Sequence, residues 1–251
     1  QEGKKNRKSL QKAIEKGVDV VGGCPHLDSD PEKAIAVAMD AASEAHLPLD
    51  LHMDETLDPA MLSVVVLGRA VLERGFGQAV TASHCVSLSV LEPNRQRSIA
   101  TLLKEASMNV VSLPQTNLFL QARDRPTAPP RGITPINLLR EEGVVVGAGG
   151  DNVQDPFNTM GRADALETAA LAVAASHQSV ENGLDLVTDS SRIVMGLPLC
   201  GYELGAKASL VAAPVSTVRE LIATAPVDRV VIRDGEVVAR TASVTEMIRD
   251  F

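Results

Sequence analysis

Aromatic residues are almost missing from this chain of 251 residues: four Phe, one Tyr and no Trp. A core must therefore be assembled from Val, Leu, Ile and Ala, and stacking platforms for single-stranded nucleic acid are excluded. Cysteine is also scarce. Cys24, Cys85 and Cys200 are an odd number, far apart, with no Cys-x-x-Cys pair, so neither a zinc knuckle nor a dithiol redox motif is supported. They read as small buried hydrophobes of a reducing, cytoplasmic setting. No apolar run approaches 18 residues, which excludes a membrane-spanning helix. No basic cluster exists either: 24 Lys and Arg face 32 Asp and Glu, a formal charge of −8. Nucleic-acid binding, which needs cations to displace counterions, is not expected. The start of the chain, Gln1-Glu2-Gly3-Lys4-Lys5, is charged but no hydrophobic segment follows it, so it is not a signal peptide.

What remains is an alternation of two periods. Short β-branched runs occur at 18–23, 47–52, 79–83, 109–113 and 144–149. Apolar residues at helical spacing lie between them, as in Ile35, Val37, Ala38, Ala41, Ala42 and Ala45, and in Met61, Val65, Leu67, Val71 and Leu72. Asp30-Pro31 and Asp58-Pro59 each read as an N-cap followed by a proline in the first helical turn. Strand recurrence every 29 to 36 residues is the spacing of βαβ units and a parallel sheet. An open doubly wound nucleotide binder needs a glycine-rich turn after its first strand. The only candidate, Gly147-Ala148-Gly149-Gly150, follows the last one. A (β/α)₈ barrel is the favoured architecture.

Beyond Gly205 the texture changes. Short strands are expected at 208–213, 229–232 and 236–239, with Asp234-Gly235 as a hairpin turn and a short helix at 216–223. The division is therefore 1–204 for the barrel part and 205–251 for a small β appendage. The proline-rich stretch 122–132 reads as a loop.

Polar residues fall at strand ends. The run 47–52 ends in His52, with Asp54 and Glu55 just beyond; the run 79–83 leads into His84; the run 144–149 leads into Asp151. In a (β/α)₈ barrel all these ends face one mouth, where active sites form. Two imidazoles and a carboxylate converging there are metal chemistry, suited to one Zn²⁺ or Fe²⁺ with a position open to water. Glu55 is placed to take a proton from water that the ion activates. Asp50 is read as structural and turned away from His52, Asp54 as a helix cap, and His46 and His177 as helix-surface residues. His26 and Asp28 fit either the mouth or a hydrogen-bonded loop.

In order, Gly22-Gly23-Cys24-Pro25-His26, Asp50-Leu51-His52-Met53-Asp54-Glu55 and Thr81-Ala82-Ser83-His84 resemble the bacterial cytosine deaminases of the amidohydrolase superfamily. So do Pro114-x-x-Asn117, Leu120-Gln121-x-Arg123, Arg131-Gly132-Ile133 and Gly150-Asp151-Asn152-Val153-x-Asp155-Pro156-Phe157. The resemblance implies a (β/α)₈ barrel with a C-terminal β segment, His52 and Asp151 as metal ligands, and Glu55 as proton shuttle. It implies His84 as the residue that orients the attacking water or joins the ligands. Gln1, Asn152 and Phe157 match positions that meet the substrate. The reaction implied is hydrolytic deamination of a small ring such as cytosine, with triazines such as an N-alkyl ammelide, isocytosine and creatinine as alternatives. A non-catalytic barrel fragment, and a phosphate-binding lyase or isomerase using 147–150 as an anion cradle, are the rivals from other classes. No Lys or Arg lies in 147–157 and two Asp do, which disfavours the anion cradle. Three departures stand out: Asn152 where relatives carry a second Asp, Phe157 where they carry Trp, and no His-x-His motif, which in the family ends the first strand and supplies two further ligands. By that likeness the five strands are the fourth to eighth, and the expectation is an N-terminal part outside these residues rather than a truncated product. Homo-oligomerisation is left open by the sequence.

Overall fold

The computed structural model describes residues 2–246 and 248; Gln1 lies outside them. In chain order the elements are α1 (Glu2–Glu15), β1 (Val21–Gly23), α2 (Pro31–Ala45), β2 (Leu49–Met53), α3 (Ser63–Arg74), β3 (Val80–His84), α4 (Pro93–Glu105) and β4 (Asn109–Ser112). There follow α5 (Pro114–Leu120), α6 (Ile136–Glu141), β5 (Val146–Ala148), α7 (Ala165–Ser176), α8 (Val180–Val187) and α9 (Asp189–Val194). The chain closes with β6 (Leu210–Ala212), α10 (Val218–Thr224), β7 (Arg229–Arg233) and β8 (Glu236–Thr241).

Strands β1 to β5 form one parallel sheet in sequential order, each paired with the next in the chain. All five lie within or beside the expected runs. The main core occupies one face of this sheet. There Leu49, Leu51, Met53, Val80, Ala82, Val110 and Val146 meet Ile35, Met39, Leu67, Ile99, Leu103, Ile136 and Leu139 from the covering helices. Burying such a cluster supplies the bulk of the stabilisation, at roughly 25 cal/mol per Å² of apolar surface. β2 shows how the faces divide. Leu49, Leu51 and Met53 are buried against helices, while Asp50 and His52 are half-buried on the opposite face. Asp50 therefore shares the face of His52, as residues two apart on a strand must, and accepts a hydrogen bond from the Ser83 hydroxyl at 2.8 Å. The expectation that it turns away is corrected.

Asp30 caps α2 as expected, accepting from the Lys33 amide at 3.0 Å. Asp58-Pro59 does not start a helix. Asp58 closes a turn with the Ala60 amide at 2.9 Å, and α3 begins later, at Ser63, capped from a distance by the buried Asp54. His46 and His177 are exposed, but each ends its helix in the left-handed conformation, with φ of 56° and 53°.

The C-terminal strands form a separate antiparallel sheet in the order β6-β7-β8. Its hairpin turn is Asp234-Gly235, both with positive φ, the pairing that suits the twist of a two-residue turn. Ile222 of α10 packs on Leu166 and Ala169 of α7. Arg229 clamps Asp164, the N-cap of α7, with two hydrogen bonds of 3.1 and 2.8 Å. No helix among the described residues is long and apolar enough to cross a membrane.

Candidate functional site

The sheet delivers three side chains to one place. Pairing of β2 with β3 sets Met53 opposite His84, so His52 and His84 stand at neighbouring strand ends with ring centres 4.8 Å apart. Asp151 follows β5 by three residues with φ of 61°. Its two oxygens lie 3.7 Å from His52 Nε2 and 3.7 Å from His84 Nε2. One ligand atom from each of the three comes within 4.8 Å of the others. His84 Nε2 is buried without a hydrogen-bond partner, an orphan that a native site does not leave without a reason. Two imidazoles and a carboxylate, with a polar atom waiting between them, fit a divalent ion and its water.

Glu55 stands beside this group without belonging to it. Its Oε1 is 3.4 Å from His84 Nδ1 and accepts from Asn117 Nδ2 at 3.2 Å. Its backbone oxygen accepts from Gln121 Nε2 at 3.3 Å. His84 is fixed at both ends: Asn117 meets its ring at 2.9 Å, and the Thr134 hydroxyl donates to its carbonyl at 2.6 Å. The chain turns sharply here, because His84 and Cys85 are both left-handed, at φ of 71° and 50°. Strain of this kind is held by its surroundings and collects at functional sites. The Cys85 amide, bonded to Met53 O at 2.9 Å, is one of those restraints.

The charges follow from burial and proximity. Burial pushes the Glu55 carboxyl up, and the nearby Asp151 adds to this. Asp151 raises His52, against the effect of burial. Burial acts to raise Asp151 too, but contact with His52 and the charge of His84 hold it below the usual carboxylate range. Burial, reinforced by His52, drives His84 down to about 4, so it is neutral at pH 7. This has a consequence for stability. Between about 6.5 in the unfolded chain and about 4 in the folded one, the native state binds fewer protons at His84. That contribution is complete above pH 6.5 and is lost as pH falls toward 4. The carboxyls of Asp54 and Glu55, raised by burial, act in the opposite sense. We expect the melting temperature of the metal-free protein to fall more steeply from pH 6.5 to 4 than that of His84→Gln. Parallel curves would show that His84 is not held neutral.

Other residues sort themselves. His26 Nδ1 pairs with the His52 carbonyl at 3.0 Å, a support behind the site. Asp28 is exposed and meets the Asp30 amide at 3.4 Å, a loop contact. The amide of Asn152 is held on both sides, accepting from Thr116 Oγ1 at 3.0 Å and donating to Asp155 at 2.6 Å. Phe157 is 54% exposed on the same loop, its amide bonded to Asp155 at 2.9 Å. A cavity of about 790 Å³ lies on the site's face of the sheet, lined by Asp50, Thr81, Val111, Ala148, Asp151 and Asn152. Asn117 and Gln121 lie within motifs quoted above and Thr134 directly follows one, yet the sequence alone gives none of them a role. The contacts that define them cross 33 to 66 residues of chain.

Gly132 belongs to this support. It has φ of +62°, and a Cβ there would lie 2.6 Å from Gln121 Cβ. Gly17 has φ of +82° with open space around it. Gly17→Ala should cost about 1 kcal/mol, and Gly132→Ala at least about 2 kcal/mol more, because overpacking adds to backbone strain. Urea midpoints of the two variants test this. Equal losses would mean that Gln121 moves aside freely.

The amidohydrolase family model matches residues 2–239. The chain is 31% identical over 236 residues to a pterin deaminase of Rhizobium rhizogenes, covering 92% of this chain and 54% of that protein. It is 23% identical over 209 residues to an N-isopropylammelide isopropyl amidohydrolase of a Pseudomonas species, covering 80% and 49%. Among solved structures, 5-methylcytosine deaminase from Klebsiella pneumoniae with phosphonocytosine superposes with a TM-score of 0.86 at 27% identity, over 96% of this chain and 61% of that one. The chain thus spans about half the length of the curated relatives it matches. With the parallel βα order, the strand-end site and a family match running from residue 2 to residue 239, this chain belongs to the amidohydrolase family.

Proposed function

We propose that the protein is a metal-dependent hydrolase of C–N bonds that deaminates a small ring bearing an amino group, such as cytosine or another cyclic amidine, and releases ammonia. The observation that carries this reading is the meeting of His52, His84 and Asp151 within 4.8 Å, with Glu55 beside them. Relatives named for pterin, 5-methylcytosine and N-isopropylammelide support the reaction class. In this reading the five strands are part of a closed (β/α)₈ barrel, residues 1–204 are its portion here, and 205–251 join a small β-sandwich.

His52 and Asp151 would hold the ion, with His84 in reach. A bound Zn²⁺ or Fe²⁺ supplies a Lewis acid that brings the pKa of water to about 7. Glu55 accepts a proton from the attacking water and delivers it to a ring nitrogen. The oxygen bonds to the amine-bearing carbon while Asp151 and His84 steady it. Glu55 relays the second proton to the departing amine, the C–N bond breaks, and ammonia leaves. Asn152 shapes the loop over the ring and Phe157 offers it an apolar wall; Gln1 is assigned to the ring edge by resemblance alone. We place the enzyme in the cytoplasm, with a small molecule rather than nucleic acid or membrane as its partner.

Ammonia release from cytosine, 5-methylcytosine, isocytosine, pterin, ammelide and creatinine tests the proposal in the intact, metal-loaded protein. Turnover of at least one ring amine, abolished by chelation, is expected. Silence across the panel with stoichiometric metal bound would overturn it. Pterin belongs in the panel because the relative named for it is the more similar of the two curated ones described above.

A further inference from the structure

Asn117 is buried in the first turns of α5, directly after β4. One atom of its amide faces two partners, Glu55 Oε1 at 3.2 Å and His84 Nδ1 at 2.9 Å. A carboxylate oxygen cannot donate a hydrogen bond, so the atom facing it is the NH₂ group. The same NH₂ group faces His84 Nδ1, which must then accept and carry no proton. A ring with a bare Nδ1 carries its single proton on Nε2. That atom is buried, has no hydrogen-bond partner, and stands 3.7 Å from Asp151 Oδ2. A protonated nitrogen cannot ligate an ion, but it can donate to an oxygen lying between it and Asp151.

The amide's other end points the same way. Asn117 Oδ1 is buried and unpaired, so the side chain is not kept in place by complete satisfaction of its own groups. Only its NH₂ end has partners, and both belong to the site.

We infer that Asn117 is a positioning residue that fixes His84 as an Nε2–H donor and holds Glu55 beside it, leaving the ion to His52 and Asp151 without His84. The tautomer rests on these contacts alone; its bearing on turnover rests on the deaminase reading above.

The test uses the full-length protein labelled with ¹⁵N-histidine, with long-range ¹H–¹⁵N correlation to read each ring's tautomer. The signals of His84 are identified by their loss in His84→Gln. Wild-type protein should show the Nε2–H form. In Asn117→Ala and Asn117→Asp the nearest acceptor for Nδ1 is no longer a donor's neighbour but a bare carboxylate, Glu55 at 3.4 Å in the first case. The proton should therefore move to Nδ1. Both variants should lose kcat by about 100-fold, with KM within about 3-fold of wild type and bound metal unchanged. An Nδ1–H ring in the wild type, or an unchanged Nε2–H ring in both variants, would overturn the inference. If wild type turns over no ring amine, the deaminase reading fails, and the tautomer result still stands or falls on the spectra.

Discussion

Glu55→Gln is expected to lower kcat by about 1,000-fold or more while the protein keeps its metal and its fold. Glutamine has the same shape and can still accept from Asn117, so the packing around it survives. It has no proton to give and none to take. General acid–base groups contribute some 10²- to 10⁴-fold, and here one carboxylate is asked to serve both the attack and the departure of the amine. Its environment suits the task, because burial and the neighbouring Asp151 hold its pKa above the usual carboxylate value. Steady-state kinetics together with metal analysis check the prediction. A variant that retains activity would remove Glu55 from the proton path, and one that loses metal would make it a ligand instead.

The largest effect on stability should come from its neighbour. Asp54 is fully buried and accepts the amides of Ser63 and Val64, each at 2.9 Å, as well as the Ser63 hydroxyl. It is the true cap of α3. Asp54→Ala would leave three buried donors without an acceptor, at about 1 to 3 kcal/mol for each group. Part of that is recovered because burial disfavours the ionised carboxyl in the native protein. We expect a net loss of about 4 kcal/mol, seen as a lower denaturant midpoint, and roughly half as much for Asp54→Asn, which keeps one acceptor. A loss under about 1 kcal/mol would mean that water reaches the start of α3.

These two acids, adjacent in sequence, mark what could be read from residues alone. Strands were legible because a sheet covered by helices selects continuous β-branched runs such as Val144-Val145-Val146. Their polar ends were legible because His52, His84 and Asp151 break those runs. Helix starts were less so. Asp58-Pro59 has the local form of a cap, but the amides of Ser63 and Val64 are satisfied nine and ten residues back by Asp54, which reads as a cap in the sequence but at a separation that does not reveal where α3 begins. The helix α1 escaped notice because most of its residues are polar, with only Leu10 and Ile14 meeting the core. Asn117 and Thr134 escaped for a different reason: each is an ordinary polar residue until the fold sets it against His84.

The order of the sheet also has a bearing on how the molecule is born. Each of β2 to β5 pairs with the strand made just before it, so a nascent chain leaving the ribosome can add these layers one at a time. His52, Glu55, His84 and Asn117 can gather during that growth. Asp151, emerging almost a hundred residues after His52, comes last, so the carboxylate joins His52 only once the other residues of the site are in place.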